Sequence, residues 1–139
     1  MKKVDFETTK KLFDLGFTLR TSEIMSFYII DNGVVYSYSN VGQTLTEYLK
    51  DPAREKIPAP TTDQVINWLR EKHFIEVLVF PYSSVRYKDV YRADYTVKLL
   101  GDTWSAHLTN DGKNYQKYEE AQIAAINWII DHNDKLRKT

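Results

Sequence analysis

The stretch SFYIIDNGVVYSYS, residues 26–39, constrains the fold more than any other. Two runs rich in β-branched and aromatic residues flank Asp31-Asn32-Gly33. A two-residue type I′ turn needs positive φ at both central positions, and Asn-Gly supplies it at little cost. The spacing predicts a β-hairpin, and with it an antiparallel sheet.

The rest of the chain is read around that hairpin. Leu12, Phe13 and Leu15 follow ETTKK and lead to Gly16, placed where a helix C-cap belongs, so a short helix is predicted there. TLTEYL at 44–49 predicts a turn or two of helix. KDPAREKIPAP, with Pro52, Pro58 and Pro60, reads as a loop or spacer. PTTDQVINWLREKH then opens a second helix. Thr61 or Thr62 caps it, Asp63 suits the positive end of its dipole, and Arg70, Lys72 and His73 suit the negative end. Val65, Trp68 and Leu69 form its expected buried stripe.

FIEVLVFPY is a predicted strand, apolar enough to lie centrally, with Pro81 ending its regular pairing. Residues 86–100, RYKDVYRADYTVKLL, alternate as one long strand. Tyr87, Tyr91, Tyr95, Val97 and Leu99 fall on one face, and Arg86, Lys88, Arg92 and Lys98 on the other. Gly101-Asp102 turns into TWSAHL, where Trp104, Ala106 and Leu108 align. After the loop TNDGKN, a final helix carries Tyr118, Ala121, Ala125, Trp128 and His132 on one face, with Ile129 beside them. The order predicts an α+β fold: an antiparallel sheet packed by helices, with a C-terminal α-β-β-β-α unit preceded by a helix and a hairpin. At 139 residues a single domain is expected, residues 1–57 carrying the helix and hairpin and residues 58–139 the α-β-β-β-α portion.

Two resemblances follow from these segments. From Thr61 onward the order α-β-β-β-α, closing on DGKNYQKYEEAQIAAINWII, is similar to the double-stranded-RNA-binding domain. In that family a lysine-bearing helix clamps phosphates while its alanines pack on the sheet. Aligned on Ala121, Ala124 and Ala125, the lysine positions fall here on Tyr118, Glu119 and Gln122, so the resemblance implies the topology without the clamp. IPAPTTDQVINWLREKHFIEVLVF, followed by YEEAQIAAINWII, resembles small uncharacterised proteins of gut bacteria, their phages and other mobile elements. That similarity covers about the last eighty residues and implies provenance rather than chemistry.

Composition argues against several functions. Lys plus Arg number 19 and Asp plus Glu 19, eight of each sign in residues 1–57 and eleven of each in residues 58–139. Neither portion has the basic excess of a phosphate-binding surface. The absence of Cys excludes disulfides, thiolate zinc sites and a cysteine nucleophile. Acidic Asp5 and Glu7 stand where a signal core would begin, and no apolar run approaches the roughly 20 residues that span a bilayer. A cytoplasmic protein without membrane partner is expected. His73, His107 and His132 show no paired metal-ligand spacing, and neither a nucleophile motif nor a phosphate-binding glycine loop is present. The expectation is a non-catalytic protein with no cofactor and no metal, acting through protein contacts with an unidentified partner or as a homodimer. Its interface candidates are Tyr87, Tyr91 and Tyr95. The alternative is nucleic-acid binding through Arg86, Lys88, Arg92 and Lys98.

Overall fold

The computed structural model describes residues 3–39, 55–87 and 90–136, the side chains of residues 21, 38–39, 82–87 and 90–93 excepted. The helix expected at 44–49 and Lys88 lie outside the described residues. The architecture is α+β, and the strands form two three-stranded antiparallel sheets. The chain divides into two compact units, Met1–Thr61 and Thr62–Thr139.

In the first unit, helix α1 (Phe6–Asp14) begins where the Asp5 carboxylate accepts the Thr8 N–H at 2.7 Å. It ends in a Schellman motif. Gly16 adopts φ 96°, the Phe17 N–H reaches the Leu12 carbonyl at 3.0 Å, and the Gly16 N–H reaches that of Phe13 at 3.1 Å. Leu12 and Phe17, the positions whose apolar side chains accompany this motif, are both buried. The predicted hairpin is present as β1 (Ser26–Asp31) and β2 (Val34–Ser39), joined by Asn32 (φ 51°) and Gly33 (φ 77°). Phe6 sets its ring edge-on to Tyr28, and the Tyr28 hydroxyl donates to the Val4 carbonyl.

The segment expected to be spacer contributes a strand instead. β3 (Glu55–Pro58) pairs with the open side of β1, giving the order β2-β1-β3. The ladder explains how a proline fits there. A two-residue turn closes with a hydrogen-bonded pair, Asp31 with Val34, and such pairs alternate along the ladder. Phe27 therefore directs its backbone groups at β2. Its partner on the other side, Pro58, stands in a non-hydrogen-bonded pair that needs no N–H from it. Ser26, one residue earlier, points the other way, and its carbonyl accepts the Ala59 N–H at 2.9 Å.

The second unit runs α2 (Thr62–His73), β4 (Glu76–Tyr87), β5 (Val90–Leu100), β6 (Ser105–Leu108) and α3 (Tyr118–Asp131), with sheet order β4-β5-β6. This is the expected α-β-β-β-α unit. In α2 the buried apolar residues are Val65, Ile66 and Leu69. Trp68, expected among them, is half-buried with its ring against His73, centroids 4.5 Å apart. The chain leaves α2 through Phe74 at φ 55°, a left-handed conformation unusual for a bulky side chain. Val77, Val97, Leu99 and Leu108 form the buried face of the sheet, and α3 lies on β4 and β5 with Ala121, Ala125, Ile126 and Ile129 buried. Trp104, just before β6, packs on Trp128 of α3 with centroids 5.6 Å apart. Gly101 makes room for it, since a Cβ there would lie 2.2 Å from the Trp104 ring nitrogen.

Gly16→Ala is expected to destabilise the first unit by about 1–2 kcal/mol, the cost of a left-handed alanine. Nothing lies within 4 Å of the added methyl, so backbone strain alone is tested. Urea midpoints of the two proteins measure the effect.

Candidate functional site

The sequence singled out residues 86–98, and the structure changes how they are arranged. β4 does not stop at Pro81, and residues 86–100 are not one strand. β4 continues to Tyr87, and β5 starts at Val90 and pairs antiparallel with it. β4 is also an edge strand of its sheet, not the central strand expected. A register shift between Pro81 and Ser83 absorbs one extra residue on β4.

Pro81 is tolerated for the reason that applies to Pro58. It stands opposite Tyr95, whose N–H and carbonyl both bond Tyr115, at 2.7 and 2.9 Å, on the far side of β5. The Pro81–Tyr95 pair is therefore non-hydrogen-bonded, and the missing N–H falls on the outer rim.

Directly opposed positions in an antiparallel ladder share a face. Position 86 stands opposite 91, 87 opposite 90, and 85 opposite 92. Position 87 thus belongs with 92 and 98, and position 86 with 91 and 95. By register the expected tyrosine positions 87, 91 and 95 do not share one parity of the ladder, nor do the basic positions 86, 92 and 98. The antiparallel register is the cause: it sets position 87 opposite 90, so an odd position on β4 shares a face with even positions on β5.

Two of the candidates have described side chains. Tyr95 is half-buried and meets Tyr118 of α3 edge-on, centroids 5.7 Å apart, so it belongs to the rim of the core. Lys98 is exposed on the outer face, between Leu78 and His107 in register. That face also carries exposed apolar side chains, Leu78 at 36% and Phe80 at 43%. The signal for them was in the sequence. Residues 74–80 are apolar at both parities save for Glu76, and a strand apolar on both faces suggests burial until its edge position is known.

Beyond Pro81 and Tyr95 the sheet narrows. β6 pairs only with Val97–Leu100 of β5, whereas β4 and β5 continue together through five further pairs, Ser83 with Asp94 to Tyr87 with Val90. At about 3.4 Å per residue this is a two-stranded ribbon some 15 Å long. Among the described residues no third strand joins it.

On α3, Gln122 is the position at which the RNA-binding resemblance places a lysine. It is buried. Its carbonyl oxygen accepts the Thr62 hydroxyl at 3.2 Å, and its amide donates to the Asp63 carboxylate at 3.3 Å. The residue ties α3 to the first turn of α2 and faces no solvent. Tyr118, at another of the lysine positions, packs on Tyr95, and Glu119 is exposed and acidic.

The histidines are engaged with neighbours. His107 Nε2 lies 2.6 Å from the Thr96 hydroxyl. His132 stacks on Trp128 at 4.0 Å and donates from Nδ1 to the Trp128 carbonyl at 2.8 Å. Among the described residues no group of three His, Asp or Glu is placed to hold a metal ion, and no described helix is long and apolar enough to cross a membrane. Burial, and then the Glu120 carboxylate, raise the Tyr115 phenol above its ordinary range. Burial and Asp5 do the same for Tyr28. Comparison with protein-family models, curated proteins and solved structures finds no match.

Gln122→Ala is expected to cost about 1–3 kcal/mol, because the buried Thr62 hydroxyl loses its acceptor. Chemical denaturation of the variant checks this. The raised tyrosines set an alkaline limit. Each phenol holds its proton more tightly folded than unfolded, so its contribution is complete below the unfolded value of about 10 and is lost as pH rises through the folded one. Urea midpoints should fall from about pH 9 to about pH 11, and less steeply in Tyr115→Phe, which has no phenol to ionise at that site.

Proposed function

We propose that this chain is a non-catalytic accessory protein that works through protein–protein contacts, with the β4–β5 ribbon and the outer sheet face beside it as the contact surface. The observation that carries this reading is the ribbon of five pairs, Ser83–Tyr87 with Val90–Asp94, that outruns β6. A two-stranded hairpin is marginally stable in water by itself, and a partner that covers it supplies the burial it lacks. Exposed Leu78 and Phe80 on the same strand extend the surface towards the body of the sheet. The sequence of the ribbon adds Tyr82, Tyr87 and Tyr91, a residue type enriched at interfaces. The resemblance to phage and mobile-element proteins suits a small accessory role, with another protein or a second copy as partner.

The nucleic-acid reading draws on Arg92 and Lys98, which share a parity in β5, but Asp94 lies between them and the charge of the whole chain is balanced.

Affinity capture with wild type, Tyr91→Ala and Phe80→Ser tests the proposal. A protein bound by wild type and lost with both variants, each folded by circular dichroism, is the expected result. Identical captures from all three would sink it. A salt-dependent shift of duplex RNA or DNA, abolished by Arg92→Glu and Lys98→Glu, would replace it with the nucleic-acid reading.

A further inference from the structure

The edges of the first sheet are not alike. β3 has Pro58 in its ladder, with charged Glu55 and Lys56 beside it. In the second sheet, β4 turns Pro81 to its rim, and β6 is only four residues long. These are the means by which proteins keep sheet edges from pairing with other chains. β2, VVYSYS, has none of them: no proline, no glycine, no charge. It is an edge strand, Val35 is 38% and Tyr36 55% exposed, and its outer rim meets no other backbone among the described residues.

The hairpin fixes which groups that rim presents. Val34 and Tyr36 direct their backbone at β1, in the hydrogen-bonded pairs with Asp31 and Ile29. Val35 and Ser37 direct theirs outward. Lys3 bonds the Ser37 hydroxyl, a side-chain contact that takes up none of the backbone groups on the rim.

We propose that β2 pairs with β2 of a second copy, antiparallel about a two-fold axis at Tyr36, making one six-stranded sheet from two chains. In this register Val35 and Ser37 of one copy exchange both backbone hydrogen bonds with Ser37 and Val35 of the other, four bonds in all. Tyr36 meets Tyr36 in the close, non-hydrogen-bonded pair on the axis. The occupant is a second copy on grounds of charge. A strand without charge sets no like charges opposite one another when it pairs with itself, and a chain of 19 cations and 19 anions carries no net repulsion into the dimer. This surface lies in the first unit and is separate from the ribbon.

The chain has no Cys, so Tyr36→Cys introduces a single thiol. At a non-hydrogen-bonded antiparallel pair the two Cα atoms lie about 4.5 Å apart, within disulfide range. Oxidised Tyr36→Cys is expected to form covalent dimer several-fold more readily than Lys113→Cys, a thiol on an exposed turn. By light scattering across a concentration series, wild type and Val35→Ala dimerise, whereas Val35→Pro, which loses only the outward N–H, stays monomeric. Tyr91→Ala leaves the dimer intact, because the ribbon takes no part in it. Cross-linking no greater than that of Lys113→Cys overturns the proposal even where Val35→Pro fails to fold. So does a wild-type monomer at every concentration, which leaves the edge to a foreign strand or to solvent. A dimer lost in Tyr91→Ala overturns it as well and moves self-association to the ribbon.

Discussion

A proline has no N–H to give, and in an antiparallel ladder only every second position can do without one. Much of this structure follows from where that rule lets its prolines stand. Asn32-Gly33 fixes the alternation in the first sheet, and the alternation gives Pro58 a place beside Phe27. The Tyr95–Tyr115 bridge fixes it in the second and gives Pro81 a place beside Tyr95. Each proline is then paired in a ladder, Pro58 as the last residue of β3 and Pro81 in the interior of β4. Each also leaves a gap on an outer rim, which closes that edge to further pairing.

The same rule explains what sequence reading misses. Prolines 52, 58 and 60 suggest a spacer, and a spacer was expected where β3 runs. Pro81 suggests a strand end, whereas β4 continues past it through a bulge to Tyr87. Local chemistry that needs no ladder was legible. The Asn-Gly turn, the Gly16 cap and the α-β-β-β-α order all follow from turn residues and apolar periodicity. The candidate site was legible only as a region. Its residues alternate as one strand would, and no local signal marks that β4 ends at Tyr87 and β5 begins at Val90 in antiparallel register, which changes the parity of the tyrosine and basic positions. Ile66 and Trp68 exchange roles on α2 for a related reason. Both suit a helix stripe, and the choice between them depends on what the helix lies against.

The last helix differs at a few positions from the RNA-binding helix that its sequence resembles. Ala121 and Ala125 pack as the alanines of an RNA-binding helix would. Where such a helix presents a cation to phosphate, Gln122 turns inward and joins two helices. An amide suits that post because it gives and receives at once, accepting from Thr62 and donating to Asp63. A lysine has only donors and a charge that burial would oppose.

Trp104 and Trp128, packed together beside Gly101, and Trp68 on α2 are the three tryptophans of the chain, and all lie within Thr62–Thr139. The first unit has tyrosines but no indole. Indole emission, excited selectively, therefore originates in one unit, while far-ultraviolet dichroism sums over both. Loss of structure in Met1–Thr61 alone would change the dichroism and leave the indole emission dark to the event. If the two units melt at different temperatures, the two optical signals come apart, and the chain carries in its own side chains the means of telling which half has gone.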